Sequence, residues 1–207
     1  MSTRLRALGV VAATVLLTGG CAAGTHPGAA AVVGKTEISI SDVDNTSRAV
    51  TTALGQNFNA NATLNTLVTN ALVAEVAKQK SITITPAETA QSALSAVGDD
   101  QATYAKFQGE ADTRDFLNAV GNAQVIALKL AGGGVKDLQD QTKLQQGSMA
   151  LREAAKGVDV TIAPRFGKWS DGAIDNTISG SLSKESKQTA AQREAAENAA
   201  KQQQGQG

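Results

Sequence analysis

Cys21 and His26 are the only cysteine and the only histidine in 207 residues, and they bound the chemistry on offer. A lone thiol cannot close an intrachain disulfide, and one Cys with one His cannot build a Cys/His zinc cage. A Ser-His-Asp or Cys-His centre needs a histidine held in a folded site. His26 instead lies between Gly24 and Gly28 in a stretch rich in alanine, where its ring is simply solvated. Ser181-Leu182-Ser183-Lys184 has the Ser-x-x-Lys form of penicillin-recognising enzymes. Its companion Ser-Asp-Asn and Lys-Thr-Gly motifs are missing, and it falls in a polar segment. The acidic pairs Asp99-Asp100 and Glu110/Asp112 lack the rest of an oxygen-rich calcium loop and read as solvated turns. Gly132-Gly133-Gly134 precedes Lys136 without the spacing of a phosphate loop or a hydroxyl after the lysine, so it reads as a hinge or helix cap. The residues thus predict no catalytic centre, no metal ligands and no cofactor.

The use of Cys21 is set by what precedes it. Arg4 and Arg6 give a positive start, and Ala7 to Leu17 is uncharged and mostly apolar. Residues 1–20 therefore read as a secretory signal, too short to span a bilayer, which takes roughly twenty apolar residues. Leu17-Thr18-Gly19-Gly20-Cys21 resembles the bacterial lipobox, with Thr18 where leucine is usual. In that motif a diacylglycerol is attached to the cysteine sulfur and the leader is cut just before it. Two or three acyl chains, at about 0.8 kcal/mol per buried methylene, hold a mature chain at a membrane surface. Cys21 is thus the expected lipid attachment site, with the protein on the extracytoplasmic face of the cell membrane. Residues 21–30 read as a flexible tether. The 19 basic and 19 acidic residues balance, which argues against nucleic acid as a partner.

The elements that follow are mainly helical. Residues 31–38 look like a short strand and turn, and Ser41-Asp42-Val43-Asp44 has the form of a capping box before a helix at 42–55. A second helix is expected over 62–80, its Leu64, Leu67, Val68, Ala71, Leu72 and Val76 forming one apolar stripe. In Thr85-Pro86-Ala87-Glu88 the hydroxyl caps, the proline occupies a position needing no amide hydrogen, and the glutamate reaches back, so a helix over 86–97 is nearly forced. Tyr104 and Phe107 lead into a helix at 112–131, and another is expected over 136–156. Residues 158–162 alternate as a strand does, and the segment at 31–33 is the expected partner. From residue 170 the chain turns polar, with no large apolar residue after Leu182, and residues 170–207 read as a disordered tail.

The order of “AAVVGKTEISISDVD”, “LNTLVTNALVAEVAKQK”, “SITITPAETAQSAL” and “VDVTIAPRFGKW” resembles the chaperone domain of the SurA/PrsA family of secreted folding factors. It is most similar to lipid-anchored members in which a late strand ends in Pro-Arg-Tyr/Phe-Gly-x-Trp, here Pro164, Arg165, Phe166, Gly167 and Trp169. The resemblance implies a mainly α SurA N-terminal-like domain over 31–169, closed by a two-stranded sheet from its two ends. Family members often insert a parvulin prolyl isomerase between the third and fourth helices; the gap here, Gly98 to Ala111, cannot hold one. The function implied is non-catalytic binding of unfolded or partly folded exported polypeptides. A structural or adaptor lipoprotein with one dedicated envelope partner is the alternative. Because aromatics are scarce, Tyr104, Phe107, Phe166 and Trp169 are the first candidates for client contact.

Cys21→Ser is expected to move the protein from the membrane fraction to the soluble extracytoplasmic fraction of a bacterial host. Intact-mass measurement should show the acyl mass on the parent chain and none on the variant.

Overall fold

The computed structural model describes residues 27–170 and 172–175. Cys21, the leader, His26 and the chain from Asn176 onward, with Ser181 and Lys184, lie outside the described residues. Ala29–Val33 forms β1, which turns at Gly34 (φ 56°) into β2, Thr36–Ser39. These two strands pair antiparallel, Val33 opposite Thr36 and Ala31 opposite Ile38. On its other side β1 receives β3, Val160–Ile162, with Ala31 opposite Ile162, so the pairing expected between the two ends of the chain is present. The sheet is nevertheless three-stranded, in the order β2-β1-β3, rather than two-stranded. A separate hairpin joins β4, Lys168–Ser170, to β5, Ala173–Asp175.

Two boundaries move outward as a result. Ala29 and Ala30, expected in the tether, are 3% and 0% exposed because small side chains fit beneath α1 and α2. Ile174, expected in the disordered tail, packs against the same core, because pairing with Trp169 carries it back over the domain. Composition alone hides both, since neither segment is rich in large apolar residues.

The helices are α1 (Ile40–Leu54), α2 (Ala60–Gln79), α3 (Pro86–Ala96), α4 (Gln101–Gln108), α5 (Ala111–Leu130) and α6 (Gln141–Ala155). Their starts are set by side-chain caps. Ser39, not Ser41, caps α1: its Oγ accepts from the Asp42 amide at 3.0 Å, and the Asp42 carboxylate accepts from the Ser39 amide at 2.8 Å. The Asn59 side chain accepts from the Ala62 amide and starts α2 two residues early. The Thr85/Glu88 box on α3 is present as expected. Asp100 accepts from the Ala102 and Thr103 amides, which makes the Tyr104 segment a helix of its own. The helix expected over 136–156 is broken. Asp137 accepts from the Gly134 amide in a 3-10 turn, Val135–Asp137, and Asp140 caps α6 anew.

Helices α2 and α5 are the centre of the body. The expected α2 stripe is covered by the sheet and α1, where Leu64, Val68 and Leu72 meet Val33, Val43 and Ile162. Its opposite side is buried too, through Val73 and Ala77 against Ile126 of α5. A second cluster, Val50, Ala93, Phe107 and Leu117, ties α1, α3, α4 and α5 together. Helix α5 approaches its neighbours almost backbone to backbone. A Cβ at Gly121 would stand 2.6 Å from the Ala93 amide nitrogen, and one at Gly147 of α6 would stand 2.6 Å from the Ala127 carbonyl oxygen.

Gly121→Ala and Gly147→Ala should each lower unfolding free energy by about 1–3 kcal/mol through overpacking, read from urea midpoints. Gly157→Ala, with nothing within 4 Å of the added carbon, should change it by no more than about 0.5 kcal/mol. Equal effects at all three positions would refute the close-approach account.

Candidate functional site

Two of the grooves on the described surface are largely apolar. The larger, about 390 Å³, runs between α2, α5 and the connector that follows α2. Its floor is Val73, Ala77 and Ile126, and Ile82 and Ile84 of the connector form one wall. The small side chains Ala74, Ala119 and Ala123 keep it open, because none reaches across to fill it. Two polar residues line it as well. Asn70 Nδ2 and Asn122 Oδ1 are buried and have no hydrogen-bond partner. A buried donor or acceptor left unpaired costs about 1–3 kcal/mol.

The wall is held by charge. Lys129 Nζ donates to the Thr83 carbonyl and to Glu88 Oε1, both at 2.7 Å, pinning the connector to α5 and to the start of α3. The Lys129 ammonium and, after it, the Thr85 amide hold the Glu88 carboxyl below its ordinary value of 4.5. A similar staple fixes the approach to α6: Lys143 Nζ donates to Asp137 Oδ1 at 2.6 Å and lowers that carboxyl, with the Gly134 amide adding to the effect against partial burial.

The smaller groove, about 320 Å³, lies between β3 and β4 and is walled by Val160, Ile162 and Trp169. A third depression near Leu67 and Phe116 carries Asp42, Asp112 and Asp115 on its rim. Among the described residues no group of three or more His, Cys, Asp or Glu side chains is placed to hold a metal ion. No described helix is long and apolar enough to cross a membrane.

The four aromatic candidates do not share one surface. Tyr104 and Phe107 belong to the cluster of α1, α3, α4 and α5, whereas Phe166 and Trp169 pack on the core beneath the sheet. Phe107 is 2% exposed, so its ring presents nothing to a partner. Tyr104 is half-buried beside it. Phe166 is half-buried under the Arg165 guanidinium, 4.6 Å from the ring centroid, a cation–π contact. Trp169 is the one that lines a groove.

Sequence reasoning missed Asn70, Asn122 and Lys78 of the larger groove, because stripe patterns weigh only apolar positions. A signal was present: asparagine in the middle of a long helix is disfavoured by its competition for backbone bonds, and Asn70 and Asn122 both sit there.

The described chain is thus a mainly α-helical body with a small antiparallel sheet. No family model, curated protein or solved structure matches it.

A carboxyl held low in the folded state adds stability above its unfolded value and loses it as pH falls through the folded one. Glu88→Gln should therefore be less stable than the parent at pH 7, and the two should converge as pH falls through the lowered folded-state value of the Glu88 carboxyl. Urea midpoints at several pH values check this; a difference independent of pH would refute it.

Proposed function

We infer that this protein is a lipid-anchored extracytoplasmic binder of unfolded or partly folded exported polypeptides, acting without catalysis. The observation that carries the reading is the open groove between α2 and α5, with its aliphatic walls. Such a surface offers weak contact to many apolar sequences, because the walls are shape-tolerant aliphatics. The resemblance of segments 30–44, 64–94 and 158–169 to the SurA/PrsA chaperone domain supports the same reading, as does the lipobox-like sequence before Cys21. Lys78, the one ionisable group lining the groove, favours clients that bring a carboxylate to its mouth.

The test is aggregation of a chemically denatured client, diluted into buffer with and without residues 22–207 in molar excess. Light scattering should fall by at least half. Ala123→Trp, which fills the groove, should abolish most of that protection while circular dichroism stays unchanged. No protection by the parent chain would overturn the reading. Capture of one dominant envelope protein in place of many exported ones would favour the adaptor alternative.

A further inference from the structure

We propose that the end of the sheet where the chain enters the body, built around the Pro164–Phe166 turn, lies on the headgroups of the bilayer that holds the anchor, with Arg165 meeting lipid phosphate. The proposal rests on the reading of Cys21 as an acylated anchor, and the reach of the chain carries it from there. Only eight residues, Cys21 to Gly28, precede Ala29, the buried first residue of β1. Fully extended, they span at most about 29 Å, at roughly 3.6 Å per residue. As a relaxed chain they span about 15 Å. A body of this length measures roughly 40 Å across. The tether is thus shorter than the body is wide, and the side opposite Gly28 cannot turn to the lipid.

Backbone pairing identifies what surrounds the entry point. The Ile40 amide donates to the Gly28 carbonyl and the Ala163 amide to the Ala30 carbonyl, both at 2.9 Å. Ala163 leads directly into the Pro164–Phe166 turn, so this turn and residues 39–41 are the segments beside Gly28. Pro164 and Arg165 are exposed, Phe166 is half-buried under the guanidinium, and Trp169 is half-buried three residues further on.

Their chemistry fits a headgroup layer. A guanidinium stacked on a ring keeps its in-plane N–H groups for a two-point contact with phosphate. Half-buried aromatic rings suit the interfacial zone, where one part of the ring is apolar and another is wet. Lys168 adds little, since Asp175 stands opposite it, and Asp42 at the same end spends its carboxylate on the Ser39 amide. The contact therefore turns on Arg165. One cation is too weak to recruit a protein to a bilayer, yet it orients one already held there, because a short tether raises the local concentration to the order of millimolar.

The same orientation keeps the larger groove clear of lipid. The Gly34 turn, at the other end of β1 from Gly28, lies against α2, where an added Cβ would stand 3.5 Å from Glu75 Cγ. Ala77 and Lys78 of the groove follow within one helical turn of Glu75. That end of the groove thus faces the aqueous side.

Trp169 is the only tryptophan of the chain and reports on the membrane-facing end. Full-length acylated protein, its acyl mass verified, is reconstituted into phosphatidylcholine/phosphatidylglycerol vesicles, with or without phosphatidylcholine brominated near the headgroup end of its acyl chains. Bromine quenches indole only at near contact, so emission should fall by about a third. Arg165→Glu, a change at an exposed position, should lose at least half of that quenching with unchanged circular dichroism. Moving the reporter to the far turn, by Trp169→Phe with Lys35→Trp, should abolish it; should that variant not fold, the parent and Arg165→Glu decide alone. Equal quenching in the parent and Arg165→Glu, or at both reporter positions, overturns the proposal. So does emission indifferent to bromine on vesicles that carry the acylated chain, an outcome that leaves the anchor standing. A chain without acyl mass overturns the anchor and this orientation together, while client protection by residues 22–207 in solution is untouched by either failure.

Discussion

Helix α5 touches α3 and α6 through positions that carry no side chain, and the remaining helices are arranged around that fact. At Gly121 and Gly147 the facing backbones come within the distance a single Cβ would occupy. Dispersion between closely matched surfaces grows steeply as the gap closes, so a body poor in aromatics can still be densely packed. Ser92 and Ala93, both fully buried, are the α3 side of the same contact. The core is thus built from small and branched side chains, with Phe107 its largest fully buried member.

The grooves are the other side of this arrangement. Where α5 meets α2 the contact runs through Val73, Ala77 and Ile126 in place of glycine, and alanines flank it. The helices are held further apart there, and the space between them is left open. The connector cannot fall in to fill it, since Lys129 holds Thr83 and Glu88 on the rim. At the sheet, the Pro164–Phe166 turn swings β4 away from β3 before the two can pair. Both openings therefore come from backbone placement and not from missing residues.

The perturbed charges of the described residues serve the fold. Among the described residues, the charged groups whose titration is perturbed, Glu88, Asp100, Asp137 and Lys143, are engaged in caps and staples that hold turns in place. Asp100, read from sequence as half of a solvated acidic pair, spends its carboxylate on the amides of Ala102 and Thr103. The side chains lining the larger groove are mostly aliphatic, with two amides and one lysine among them.

The helical class, the α3 capping box and the pairing of the 31–33 and 160–162 segments were legible in the amino-acid sequence, because each depends on residues close together or on a simple apolar period. The expectation of a lipid anchor at the lone cysteine rests on the sequence alone, since Cys21 lies outside the described residues. Other features depended on contacts between distant segments. The 136–156 stretch has helical composition throughout, and only the pull of Gly134 and Lys143 on Asp137 breaks it. Ile174 is a lone apolar residue in a polar stretch until Trp169 pairs with it. Asn70 and Asn122 lie 52 positions apart in sequence, and they line one groove only because Gly121 and Gly147 draw α5 toward α3 and α6 and leave its contact with α2 open. Local pattern determines which segments become helices, since capping and periodicity act over a few residues; which faces stay uncovered is decided by how far apart the backbones come to rest.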